Sequence, residues 1–100
     1  MTKKQFEIIK KAFPDLKVAY HPERKTRINV GHFHYIESAI CRYPNKKGFI
    51  CCQQGGFNNP YYAGEDFWYA LQFLACEIAK EKINGLLYQE NQNKRKKVLD

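Results

Sequence analysis

One hundred residues, 44% of them apolar and with a formal net charge of +7, suffice for one small domain around a single core layer, with nothing left over for a second. No run approaches the roughly 18 apolar residues of a membrane span, and the opening MTKKQFEIIKK has no signal-type apolar block, so a soluble, unexported, cytoplasmic protein without a membrane partner is expected. Residues 1–55 carry eleven Lys/Arg against four Asp/Glu, residues 56–93 two against five, and residues 94–100 four against one, so a polyanion would meet the front of the chain and its tail.

Thr2-Lys3-Lys4-Gln5 has the form of a capping box, and Met1 with Phe6 takes the hydrophobic-staple positions, which predicts a helix from residue 3. Phe6, Ile9 and Phe13 form its apolar face. Lys3, Lys4, Lys10 and Lys11 fall together on the opposite side, relieved only by Glu7; they make either a solvated face or a stripe that tracks phosphates. Pro14 ends the helix by forcing the residue before it out of the helical region.

Residues 16–20 alternate as a half-buried strand. Residues 21–25, with Arg24 and Lys25, form a turn, and residues 26–30, with Arg27, form a second strand. Gly31 then leaves two alternatives. If the chain runs straight through it, the sheet has three strands and the basic turns at Arg24/Lys25 and Lys46/Lys47 lie at opposite ends. If residues 31–34 turn, there are four strands and both basic turns come to one end.

Residues 36–43 and 48–53 read as a hairpin joined by Pro44-Asn45-Lys46-Lys47. Pairing across that loop sets Cys41 opposite Ile50 and Ala39 opposite Cys52, with Tyr43 nearby, and this face is expected against the long helix. Ser38, Ile40, Arg42, Phe49 and Cys51 would share a more open face. Cys41, Cys51, Cys52 and Cys76 lack CxxC spacing and are expected as free, mostly buried thiols, with only one of the adjacent pair Cys51/Cys52 in the core. Residues 55–64, GGFNNPYYAG, form a long aromatic connection in which Phe57, Tyr61 and Tyr62 either pin the loop to the sheet or meet a partner.

Residues 64–85 are the longest apolar-periodic run. Phe67, Leu71, Leu74 and Ile78 form a core arc, and Tyr69, Phe73 and Cys76 a second apolar stripe on the far side. Glu65 and Asp66 in the first turn and Lys80 and Lys82 in the last suit the helix dipole. Asn84-Gly85 reads as a C-terminal stop, so residues 1–85 form the domain and residues 86–100 a basic tail carrying Lys94, Arg95, Lys96 and Lys97. The second stripe is either covered by the first helix or an exposed interface.

Catalytic constellations are not evident. His32 and His34 would share a strand face, but no third ligand is near them in sequence, so no metal is expected. Nothing orients a cysteine–histidine pair, Glu65 and Asp66 suit a dipole role, and no cofactor motif occurs. The element order over residues 3–83 is similar to that of the double-stranded RNA-binding domain, in which two helices pack on one face of a three-stranded antiparallel sheet. That family carries a basic KKxAK-like motif at the start of its second helix; here Gly64-Glu65-Asp66-Phe67 stands there, and its binding residues are not carried over.

The expectation is an α+β fold: a short helix, an antiparallel sheet of three or four strands, and a long helix packed on one face. The expected function is a non-catalytic basic protein engaging nucleic acid or a nucleoprotein complex through Lys3, Lys4, Lys10, Lys11, Arg24, Lys25, Arg27, Lys46, Lys47 and the Lys94–Lys97 cluster. An alternative is a phage-type, mobile-element inhibitor or regulator that occupies a host protein surface through Phe57, Tyr61, Tyr62, Tyr69 and Phe73. A third is a homodimer joined through the Tyr69/Phe73 stripe.

Overall fold

The structure, a computed structural model, describes residues 1–41, 45–52 and 60–99, with side chains described for all of these except 41 and 96–99. Expectations placed on Arg42, Tyr43, Pro44 and Phe57, and on the side chains of Cys41, Lys96 and Lys97, lie outside the described residues.

The chain runs α1 (Lys3–Ala12), β1 (Val18–Tyr20), β2 (Arg27–Val30), β3 (His34–Cys41), β4 (Lys46–Cys52), β5 (Pro60–Tyr62) and α2 (Phe67–Leu99). The strands form one antiparallel meander in the order β1-β2-β3-β4-β5, and both helices bury apolar side chains against the same face of it.

The predicted capping box starts α1: Gln5 N–H donates to Thr2 Oγ1 at 3.1 Å, and Thr2 N–H donates to Gln5 Oε1 at 2.9 Å. Ile9 is fully buried in the core, and the Phe6 ring stacks on Tyr20 of β1 at 4.6 Å. These two contacts seat α1 over the β1–β2 side of the sheet.

Gly31 has φ +67°, a conformation L side chains rarely adopt, and donates its N–H to the Lys17 carbonyl at 2.8 Å. The chain therefore turns at residues 31–33, and β2 pairs back on β3, Ile28 against Ile36 and Val30 against His34. The four-strand alternative is the one that forms. A fifth strand joins it from within the expected aromatic connection, with Tyr61 opposite Cys51 and Tyr62 opposite Ile50. Two features hold it there. Tyr61 stacks on Phe73 of α2 at 4.7 Å, and Gly48 leaves the space Tyr62 needs, since a Cβ there would come within 2.7 Å of the Tyr62 ring and 2.5 Å of the Gly64 carbonyl.

The β3–β4 register differs from expectation. Cys41 faces Lys46, Ala39 faces Gly48 and Ser38 faces Phe49, not Ile50 and Cys52. The faces are also reversed: Ile36, Phe49 and Cys51 belong to the core beneath α2. Burying Ile36 beside Ile28 and Phe49 against Phe67 (ring centroids 5.7 Å) removes more apolar area than Ala39 and Cys41 could, and strand parity moves every side chain together. Both Cys51 and Cys52 are fully buried, one on each face, where only one was expected inside.

Asp66 precedes α2 as its cap, accepting the Trp68 N–H at 2.8 Å. The predicted core arc holds: Ala70 and Leu74 are fully buried, Leu71 nearly so, and Phe67 and Ile78 pack beside them. The stop at Asn84-Gly85 does not form, and α2 continues to Leu99. Residues 86–99, LLYQENQNKRKKVL, are mostly good helix formers with no proline, basic residues near a helix C-terminus are favourable, and one internal glycine costs only about 0.5–1 kcal/mol.

Candidate binding surfaces

The meander fixes where the basic residues go. Because β2 and β3 form a hairpin, the β1–β2 and β3–β4 turns share one end of the sheet, with Lys25 and Lys46/Lys47 flanking the end of β3. Met1 and Lys25 line one hollow with Tyr20 and His21, which brings the N-terminus of α1, with exposed Lys3 and Lys4, to the same end. Lys10 and Lys11 continue the stripe along α1, also exposed; the Lys10 ammonium lies 5.6 Å from the Phe6 ring centre.

Two of the predicted cations are already engaged. Glu37 on β3 is nearly buried and takes Arg27 at 3.1 Å and Arg24 at 3.5 Å. The Arg27 guanidinium also lies 4.0 Å from the Tyr35 ring centre. Arg27 is thus a structural cation of the sheet's second face, and its removal would leave a buried carboxylate short of a partner. Lys94 and Arg95 sit far from this end, exposed on the extension of α2.

The predicted aromatic set is divided. Phe73 is half covered by Tyr61, and Tyr62 lies over Gly48 with its hydroxyl 3.4 Å from the Lys47 carbonyl. Tyr69 and Cys76 remain exposed, so α1 does not cover the second stripe of α2. That stripe is longer than expected: Trp68, Ile83, Leu86 and Leu87 are each more than half exposed on α2. The seven-residue spacing of Tyr69, Cys76 and Ile83 signalled it, and ending the helix at Gly85 hid its continuation to Leu86 and Leu87.

The histidines do not share a strand face. His32 lies in the turn, exposed, with its ring edge-on to Phe33, while His34 is buried and its Nε2 meets Glu81 Oε2 of α2 at 2.7 Å. Glu81 lies 47 residues away, so no local spacing could have announced it. Among the described residues, no group of three or more His, Cys, Asp or Glu side chains could hold a metal ion, and no helix is long and apolar enough to cross a membrane.

Burial pushes the Cys51 thiol up to about 12, and its Sγ points to the Ala70 carbonyl at 3.6 Å. Burial likewise pushes Cys52 up to about 11, against hydrogen bonds with Tyr35 that pull it down. Both keep their protons at neutral pH, the opposite of an activated nucleophile. No family model matches this chain, and neither does any curated protein or solved structure.

Proposed function

We propose that the chain is a non-catalytic cytoplasmic protein that binds nucleic acid, alone or within a nucleoprotein complex, through the outer face of α1 and the adjoining turn end of the sheet. The observation that carries this reading is the convergence of the β1–β2 turn, the β3–β4 turn and the N-terminus of α1 at one end. Lys3, Lys4, Lys25, Lys46 and Lys47 are exposed there, with no ion pair to a carboxylate among the described residues. Lysines in such a setting neutralise phosphates by releasing counterions, without reading sequence. Arg24 and Arg27 contribute less, because Glu37 holds them.

Binding of fluorescent single- and double-stranded oligonucleotides, titrated from about 50 to about 200 mM salt, tests the reading. Affinity is expected to fall steeply with salt. Replacing Lys3, Lys4, Lys10 and Lys11 by Gln should cost at least about tenfold and reduce the slope of log K against log salt by about 3. Binding that ignores both salt and the substitutions would overturn it. The competing reading, an inhibitor or regulator that covers a surface on host machinery, would rest on the apolar outer face of α2. Its mark is an association that survives nuclease and high salt.

A further inference from the structure

We propose that two copies of this chain pair antiparallel through the outer faces of α2, in a register that sets Cys76 of one copy against Leu86 of the other. The inference goes beyond nucleic-acid binding and does not depend on it.

The first observation is the shape of α2. Its inner face is spent on the sheet as far as Glu81, while every residue from 82 to 95 is exposed. The helix therefore projects well past the sheet, and the molecule extends 54 Å along its longest axis against 29 and 24 Å across. A projecting helix on its own has little to hold it, since segments under about 12–15 residues are marginal in water without packing.

The second is the pattern on the face turned away from the sheet. Tyr69, Cys76 and Ile83 recur at intervals of seven, with Gln72, Ala79 and Leu86 interleaved at the same interval, which is the spacing of a two-helix seam. The stripe passes without a break from the sheet-backed half of α2 onto the projecting half. No Asp, Glu, Lys or Arg stands among these six positions, whereas a solvated helix face would carry charge there.

The third is charge, and it selects both occupant and direction. The approach to α2 is acidic, with Glu65 and Asp66, and its far end is basic, with Lys94 through Lys97. Two copies laid antiparallel bring the acidic start of each level with the basic end of the other. In the register that matches the two interleaved sets, Cys76 meets Leu86 and Ala79 meets Ile83, a small side chain against a large one in the central layers, and the polar pairs Gln72–Glu90 and Tyr69–Asn93 flank them. The same register carries Glu65 and Asp66 level with Lys97 and Lys96, and Trp68 level with Lys94. A slip of one heptad toward shorter overlap sets Glu65 against Glu90 and leaves the basic end unpartnered. A parallel pair would stack basic end on basic end. About 30 residues of helix are roughly 45 Å long, and such a seam buries on the order of 1,000 Å² over the pair, near the lower bound for a specific interface. The pair should accordingly be reversible.

Sedimentation or light scattering across a concentration series reads the oligomeric state. The expected result is a mass that rises from one copy to two, and that stays at one copy in Ile83→Lys. Ile83 is 62% exposed, so that substitution should leave the circular dichroism of the folded head intact. Register is read by mild oxidation of Leu86→Cys followed by a non-reducing gel. The proposal expects a covalent dimer that disappears when Cys76→Ser is added to the same chain. A wild-type protein that is monomeric at every concentration overturns the proposal and leaves the face to a different protein. A covalent dimer formed by the wild type through Cys76 alone indicates parallel pairing and overturns it too, as does mass doubling with no cross-link from Leu86→Cys.

Discussion

The two halves of α2 are one continuous helix held by different forces. From Phe67 to Glu81 the helix lies on the sheet, and Ala70, Leu74 and Glu77 there are almost wholly removed from water. Beyond Glu81, Ile83, Leu86, Leu87 and Tyr88 are as apolar as the core arc yet stand more than half exposed. Apolar content alone therefore says nothing about burial. What separates the halves is whether a second surface lies opposite, and for the outer half the molecule supplies none from its own described residues.

The sharpest way to break this comparison is to shorten one leucine in each half. Leu74 is fully buried in the core cluster that also holds Ile9 and Ile36, so Leu74→Ala removes core contacts and leaves a cavity, at an expected cost of about 2–5 kcal/mol. Leu86→Ala, measured in urea at a concentration low enough to keep the protein monomeric, should fall within about 0.5 kcal/mol of wild type. Equal losses would mean that the projecting half is packed as firmly as the seated half.

How much of this was legible in the sequence follows from the range of the interaction concerned. The capping box of α1 needs only Thr2 and Gln5, and the core arc of α2 needs only its own periodicity; both appear as read. The β3–β4 register needed more. Residues 36–41 put an apolar side chain on each face, Ile36 and Ile40 on one and Ala39 and Cys41 on the other, so alternation could not choose between them. Glu37 held the decisive clue, because its parity goes with Arg27, its cross-strand partner on β2, and a paired carboxylate belongs on the face away from the helix. The His34–Glu81 contact had no local trace. Of the binding surfaces, the lysines of α1 and the turns were visible as composition, but their convergence rested on the turn at Gly31. The outer stripe of α2 was half visible, cut short by reading Gly85 as a stop.

The thiols sharpen the comparison from the inner side. Cys51 lies under the seated half of α2 and its pKa is raised, from the ordinary 9.0 to about 12. The native state thus holds that proton more tightly than the unfolded chain does. The resulting stability is complete below pH 9.0 and is lost as pH rises through the interval up to about 12. Over the first pH unit of that window the expected loss is about 1 kcal/mol. Urea unfolding measured at steps across it should show the wild type losing stability faster than Cys51→Ala, in which this thiol is absent. Parallel curves for the two proteins would show that Cys51 is not held where the α2–sheet contact places it.

The smallest expected effect bears on the outer half alone. Gly85 sits inside α2, and a Cβ built there meets nothing within 4 Å. Its backbone is helical, so no left-handed conformation requires a glycine. Gly85→Ala should therefore stabilise the projecting segment by about 0.5–1 kcal/mol, because the unfolded chain loses freedom and the helix gains a residue of high propensity. Global unfolding is set by the seated half and need not report this gain in full. Amide hydrogen exchange between residues 83 and 95 reports it directly, as slower exchange confined to that stretch. If exchange there is unchanged while the melting of the whole domain shifts, the two halves are one cooperative unit, and the outer helix owes its order to the sheet after all.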